Sequence, residues 1–415
     1  MNFFKQIVVH NFRNYKHAEV SFDSYPVVLY GKNGSGKTNL MEAFSLFAVG
    51  TGFRGAKLQE LAYTEAHDEC ESKPEESPKH LEAPLPASPS TASSPSAAVS
   101  PWAITATLND ETILATGYQG ARRICKIQGA PVKSAAKFHD YASIIHITPD
   151  MDHIFTNASS ERRRFVDRLI ESYDPTHMEA LSIYEKATHQ RLTLLKKSQN
   201  PDLMWLDSLE KIMAQQNIKI AKSRTKLTQR LMDGQKDHVP LFPQFLCKII
   251  GRVEDELNKI DNGLITNLNG NINTIETVFR DILHKNRETD RLTGMTTFGC
   301  HRSDFDVTHK TKNRCAKECS TGEQKILLIS TILSFVHQKI QTLDGFLMLL
   351  LDDVIARLDH AHRMVLFEQV EQLNKGSANT AHVQTFFSGT DIDPFNPMKS
   401  AQFFEINRAE ITQKR

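Results

Sequence analysis

The octapeptide Gly31-Lys32-Asn33-Gly34-Ser35-Gly36-Lys37-Thr38 constrains this chain more than any other feature. It fits the pattern G-x-x-x-x-G-K-[ST] without a mismatch. A β-rich run at 27–30 precedes it and a helix-like stretch at 37–49 follows, the context in which that pattern cradles phosphate. Glycines let backbone N–H groups converge on phosphate oxygens, and the helix N-terminus adds partial positive charge. The loop residues Gly31 to Gly36 form the cradle in this reading. Lys37 neutralises β- and γ-phosphates, Thr38 ligates Mg²⁺, and Asn39 extends the nucleotide-binding set. The expected ligands are therefore ATP and Mg²⁺.

A second element answers the first. The six apolar residues of 346–351 end in Asp352-Asp353. A continuous apolar run is what a parallel strand buried on both faces requires, and Asp352 stands at its end, where a Mg²⁺-coordinating acid belongs. By itself this is an ordinary strand exit; beside a phosphate loop it reads as the other half of a nucleotide site. Asp353 occupies the place where many ABC ATPases carry a Glu as general base. An Asp reaches one methylene less, so slow hydrolysis is expected.

Ser320-Thr321-Gly322-Glu323 precedes an apolar helix and reads first as a capping box. It also aligns with the L-S-G-G-Q signature of the ABC class, which makes Ser320 and Gly322 candidates for a γ-phosphate held by a second subunit. Ala356-Arg357-Leu358-Asp359 matches the D-loop of that class and adds Asp359.

The rest of the chain places these motifs. Strand patterning covers 7–9, 18–22, 27–30, 103–108, 112–117, 122–128 and 143–148. The segment 66–100, rich in Pro, Ser, Ala and Glu, is expected to be a disordered surface insertion because it has too little apolar area to offset its ordering entropy. From 159 to about 290 the periodicity is helical, with helices expected over 176–197 and 211–230. No heptad pattern lasts long enough for a long coiled coil. β-structure returns at 305–308, followed by a helix at 321–341, the strand 346–351, a helix at 360–374 and a strand at 383–387. The expected fold is α/β, an ABC-type P-loop ATPase head with a mixed sheet core plus an antiparallel β lobe and an inserted helical arm. Residues 1–158 and 295–415 form the two halves of the ATPase lobe and 159–294 the arm.

Charge balance excludes little: Lys+Arg is 50 against Asp+Glu 49, so a nucleic-acid surface must be a local patch. The block 211–230 holds six Lys/Arg and no Asp/Glu. Within it Lys219, Lys222 and Lys226 read either as a DNA-facing surface or as a solvated helix face. The N-terminus lacks a signal-peptide cleavage pattern, and the longest apolar runs fall short of the roughly 20 residues of a membrane span. A cytoplasmic protein is expected. Cys315 and Cys319 form a CxxxC with no second pair, so reduced thiols rather than zinc are expected.

With the motifs in this order, further stretches resemble the RecF family: Asn11-Phe12-Arg13-Asn14-Tyr15, the run from Ser160 to Asp167, the run from Gly299 to Asp304, and Ser388-Gly389-Thr390-Asp391. The resemblance spans nearly the whole chain outside 66–100. It implies ATP-dependent homodimerisation and binding to single-strand/double-strand DNA junctions. It also implies a nucleotide role for Arg13, and work with RecO- and RecR-type mediators in loading recombinase at gaps. Departures are Cys300 and Ser303 in the segment usually G-P-H-R-D-D, and Arg191-Leu192 where Arg-Asn is common. A transporter ATPase subunit is disfavoured by the ~280 residues between Lys37 and Ser320 and by Ser388-Gly389-Thr390 in place of a switch histidine. An SMC-like structural ATPase is disfavoured by the missing heptads.

Overall fold

The computed structural model describes residues 2–48, 50, 52–64, 101–120, 122–197, 201–235, 239, 241–261, 273–343, 345–375 and 382–414; the segment 66–100, read as an insertion, lies outside them. The chain opens with β1 (Phe4–Phe12), β2 (Tyr15–Ser21), β3 (Val27–Tyr30) and α1 (Lys37–Ser45). Then come β4 (Trp102–Leu108), β5 (Ile113–Gln119), β6 (Arg122–Ile127), β7 (Ala130–Val132) and β8 (Ala142–Ile147). The middle holds α2 (Ser159–Glu171), α3 (Thr176–Lys197), α4 (Leu203–Asp233), β9 (Phe245–Ile250), α5 (Arg252–Asp261), α6 (Asn273–Lys285) and α7 (Arg287–Thr293). The last part runs β10 (Asp304–His309), β11 (Arg314–Cys315), α8 (Thr321–Ile340), β12 (Phe346–Leu351), α9 (His360–Lys375), β13 (Val383–Gly389), β14 (Gln402–Asn407) and β15 (Glu410–Lys414).

Three sheets result. The central one has the order β15-β14-β3-β13-β12-β8, parallel throughout except for the terminal β14–β15 pair. Its inner strands are covered on both faces, and their side chains alternate between two cores because successive Cβ atoms point to opposite sides. Phe346, Met348 and Leu350 join α1 and the antiparallel sheet β2-β1-β4-β5-β6-β7, while Leu347, Leu349 and Leu351 pack towards α8 and α9. An aromatic cluster fills the first core, with Phe4, Phe22, Phe44 and Phe386 packed tilted or edge-to-face at centroid distances of 4.9–5.8 Å. Aromatic pairs of this kind contribute beyond their buried area.

The third core belongs to the arm, where α3, α4, α5 and α6 pack around Met213, Ala214, Ile220, Phe279 and Phe298. Arg191 of α3 lies at its upper end with no exposed surface. It donates to Glu210 of α4 at 2.9 Å, to Asp290 of α7 at 2.6 Å and to the Leu283 carbonyl of α6 at 2.7 Å.

The arm departs from the all-helical expectation. β9 lies within 159–294 and pairs with β10, forming a small sheet β11-β10-β9 at the arm's root. The period of two is visible there, since Phe245 and Cys247 are buried while Leu246 and Lys248 are exposed, but a six-residue strand is too short to stand out inside a helical block. α4 is also longer than the expected 211–230. Asp202 caps it by accepting from the Trp205 N–H at 3.1 Å, and no Gly or Pro interrupts it before Gly234. In contrast α1 stops at Ser45, earlier than expected. The guanidinium of Arg123 takes up the carbonyls of Leu46 and Gly50, which satisfies acceptors left open at a helix end. Strands β14 and β15 extend the central sheet beyond the last expected strand. No helix among the described residues is long and apolar enough to cross a membrane.

Candidate nucleotide site

In an open parallel sheet the carboxyl ends of the strands converge on a crevice, and ligands collect there. Here β3 ends at Tyr30 and runs into the phosphate loop, β12 ends at Leu351 and delivers Asp352 and Asp353, and β13 delivers Ser388 and Gly389. The cavity at this edge is lined by Asn33, Gly34, Gly36, Lys37, Thr38, Asn39, Arg54, Pro149, Asp352, Asp353, Ser388, Gly389 and Thr390.

The loop keeps its shape because two glycines adopt backbone conformations closed to other residues. Gly31 has φ 149°, and a Cβ there would collide with the Ile406 carbonyl of β14. Gly36, the residue before α1, has φ 118° and lies against the Tyr15 hydroxyl and the Asn14 amide. Tyr15 donates to the Gly36 carbonyl at 3.0 Å, Asn14 donates to the Ser35 carbonyl at 3.3 Å, and Asn39 donates to the Asn14 side chain at 2.8 Å. The β1–β2 turn thus braces the phosphate loop from below.

Lys37 is buried, and its ammonium donates to the carbonyls of Gly31 at 2.6 Å and Lys32 at 2.8 Å. Burial lowers its pKa, opposed by the charges of Asp352, Asp353 and Asp391. Thr38 donates to Asp352 Oδ1 at 3.0 Å, and Ser388 donates to the same oxygen at 2.6 Å. Burial raises the pKa of Asp352 while these two hydroxyl bonds pull it back. Hydroxyls can rotate from a carboxylate to a cation, so Thr38, Asp352 and Ser388 offer hard oxygen ligands of the kind Mg²⁺ takes. Asp353 follows at φ 51°, a left-handed conformation that Asp tolerates better than most residues. Its N–H donates to Ser388 Oγ at 2.9 Å.

Several expected residues lie elsewhere. Arg13 does not line the cavity: its guanidinium forms a two-pronged bridge to the fully buried Glu42, 2.8 Å at each prong. Ser320 and Gly322 are exposed at the start of α8, outside the cavity. Ser320 and Glu323 form a reciprocal cap there, and Lys312 pairs with Glu323 and helps hold its carboxyl down at about 2. Asp359 is exposed and caps α9 by accepting from the His362 N–H at 2.8 Å. Lys219, Lys222 and Lys226 are exposed on α4, also outside the cavity. The basic block that contains them includes one cation that cannot face solvent: Arg224 is buried on Asp167, with two bonds of 2.9 Å.

Asn14 and Arg54 were not singled out as site residues from sequence. Asn14 stands inside the quoted run Asn11 to Tyr15, which contained the signal. Arg54 donates to the Asn39 side chain at 2.9 Å and lies 3.7 Å from Glu42, in a stretch with no recognisable motif. Two of the other quoted stretches, 160–167 and 299–304, tie the arm to the head: Arg162 bridges Asp304 at 2.7 and 2.9 Å, and Arg163 donates to the Ser303 carbonyl at 2.7 Å.

A phosphate loop on one central strand, an acid pair on its neighbour but one, and a capped signature helix outside the cavity define an ABC-type P-loop ATPase head. The profile of the RecF/RecN/SMC N-terminal domain family matches residues 3–386. A DNA replication and repair protein RecF from Agrobacterium fabrum is 33% identical over 414 residues, 97% of this chain and 96% of that one. Its counterpart from Rickettsia bellii (strain RML369-C) is 33% identical over 376 residues, 90% and 92% of the two chains. A solved structure of the recombination mediator protein RecF-ATPrS in the RecFOR pathway superposes with a TM-score of 0.76 at 20% identity, covering 100% of this chain and 98% of that one. The chain belongs to the RecF family.

Proposed function

We propose that this protein is an ATP-dependent DNA-binding protein of recombinational repair and replication restart, in which slow, DNA-stimulated ATP hydrolysis serves as a switch. The observation that carries the reading is the convergence of Lys37, Thr38, Asp352, Asp353 and Ser388 on one cavity at the carboxyl edge of the central sheet. Lys37 holds the β- and γ-phosphates, and Thr38 and Asp352 hold Mg²⁺, which neutralises charge on the transferred phosphoryl group. Asp353 orients the attacking water. The names of the relatives and of the matched RecF-ATPrS structure agree with nucleotide binding and DNA repair.

Ser320 and Gly322 lie outside the cavity of their own chain. On this reading they close on the nucleotide of a second copy, in a two-fold dimer with ATP inside the interface. Asp359 reaches the same interface and Arg13 holds its floor through Glu42. The ATPase lobe comprises 1–158 and 295–415, and the arm 159–294 carries DNA on Lys219, Lys222 and Lys226. Single-strand/double-strand junctions are the DNA target, and RecO- and RecR-type mediators are the partners.

Sedimentation velocity tests the assembly, with Asp353→Asn used to hold the bound state. Wild type should shift from monomer to dimer on adding MgATP. Ser320→Arg should bind ATP as monomer with unchanged affinity yet fail to dimerise or hydrolyse. A wild type that stays monomeric at saturating ATP, or a Ser320→Arg protein that dimerises, overturns the model.

A further inference from the structure

The outer face of α4 changes character along its length. Trp205, Ile212, Lys219 and Lys226 recur at seven-residue intervals, which on a helix of ~3.6 residues per turn places them on one stripe. Trp205 is 50% exposed, Met204 beside it 83% and Leu203 61%. Lys211, Lys219, Lys222 and Lys226 are exposed as well. The adjoining face, with Leu209, Met213, Ile220 and Leu227, is buried in the protein. Between Trp205 and Lys226 the stripe holds no Asp or Glu, and Asp233 ends it. Asp207 beside it is paired with Arg287, Glu276 of α6 approaches its edge through Gln215 at 3.2 Å, and Asp174 lies beside Lys222 and Lys226 in the groove below.

An exposed tryptophan with two large apolar neighbours at a helix tip costs solvation unless something covers it. The charge of the same face indicates what does. A stripe in which lysines outnumber acids attracts a polyanion, and aromatic side chains in line with cations are how proteins hold bases that have left a duplex stack. Resting on the DNA reading above, we propose that α4 is a junction reader. Lys219, Lys222 and Lys226 track the phosphates of the duplex arm, and Trp205 with Met204 takes the first unstacked bases of the single strand. The 14 residues from Trp205 to Lys219 span roughly 21 Å, the length of about six stacked nucleotide steps at ~3.4 Å.

The chain has two tryptophans, and Trp102 is 2% exposed, so a quencher that meets the protein surface reports on Trp205. Emission should fall on adding a duplex with a single-stranded tail and stay constant with the blunt duplex. Trp205→Ala removes an exposed side chain, so the fold should be retained, which melting checks. It should lower the ratio of tailed to blunt affinity roughly tenfold with blunt affinity unchanged. Changing Lys219, Lys222 and Lys226 together to Gln should weaken both DNAs alike and flatten the salt dependence. A Trp205→Ala protein that keeps its full preference for tailed DNA overturns the inference, as it would if this patch docks a protein. A wild type that binds neither DNA at low salt overturns the DNA reading itself.

Discussion

The nucleotide cavity and the arm core both bury charge, and they do so in opposite ways. Around Arg191 in the arm, charge meets charge: Arg191 is shared by Glu210 and Asp290, and Glu210 is shared again with Arg287 at 2.6–2.9 Å. In the cavity Lys37 rests on backbone carbonyls and Asp352 on two hydroxyls. Neutral hydrogen-bond partners can be exchanged without breaking an ion pair. The arm arrangement specifies one packing of helices; the cavity arrangement holds groups ready for a ligand of both signs, an anion for Lys37 and a cation for Asp352.

The sharpest break of this contrast is in the arm. Arg191→Met leaves Asp290 buried without its cation and Glu210 with Arg287 alone, and removing one partner from a buried pair costs about 3–5 kcal/mol. Urea denaturation should show that loss. A change under ~1 kcal/mol would mean that the network is not what positions the arm.

In the cavity the same kind of deletion should spare stability and remove binding. Lys37→Met eliminates the cation for the phosphates, and nucleotide affinity should fall by a factor on the order of 100, matching the ~2–5 kcal/mol of a buried charged contact. Its melting temperature without nucleotide should equal wild type or exceed it, because burial already disfavours the ammonium. Titration with a fluorescent ATP analogue decides the first point; wild-type affinity in Lys37→Met would end the assignment of the phosphate loop.

A third site lies between the two extremes. Glu171 at the end of α2 is mostly buried, one of its carboxylate oxygens has no hydrogen-bond partner, and burial pushes its pKa up to about 7 although Arg168 pulls it down. A carboxyl whose folded pKa is raised binds protons more tightly folded than unfolded. Its penalty is therefore absent below about pH 4.5 and grows as pH rises to about 7. Glu171→Gln should melt with wild type at pH 4 and be more stable at pH 8 by on the order of 2 kcal/mol. A difference that does not vary with pH would show that the gain comes from packing.

What could be read from the chain in order was whatever depends on neighbours in sequence. The phosphate loop needs adjacent glycines and a following helix. Phe346–Leu351 needs only an unbroken apolar run, and the Ser320–Glu323 cap closes within one turn. Each is a local interaction, so residue order determines it. Arg224 illustrates the limit: six cations in a row of helix read as one surface, yet this one is paired with Asp167, 57 residues away. Arg13 reaches Glu42 across 29 residues and Ser388 reaches Asp352 across 36, and Thr38 reaches Asp352 across 314 because the central sheet sets β3 and β12 on either side of β13. Sequence determined which chemical groups this protein carries and the local shapes that present them. Tertiary structure decided which charges are paired and silent and which are left with exchangeable partners, because the energy of a buried charge depends on what the fold sets beside it.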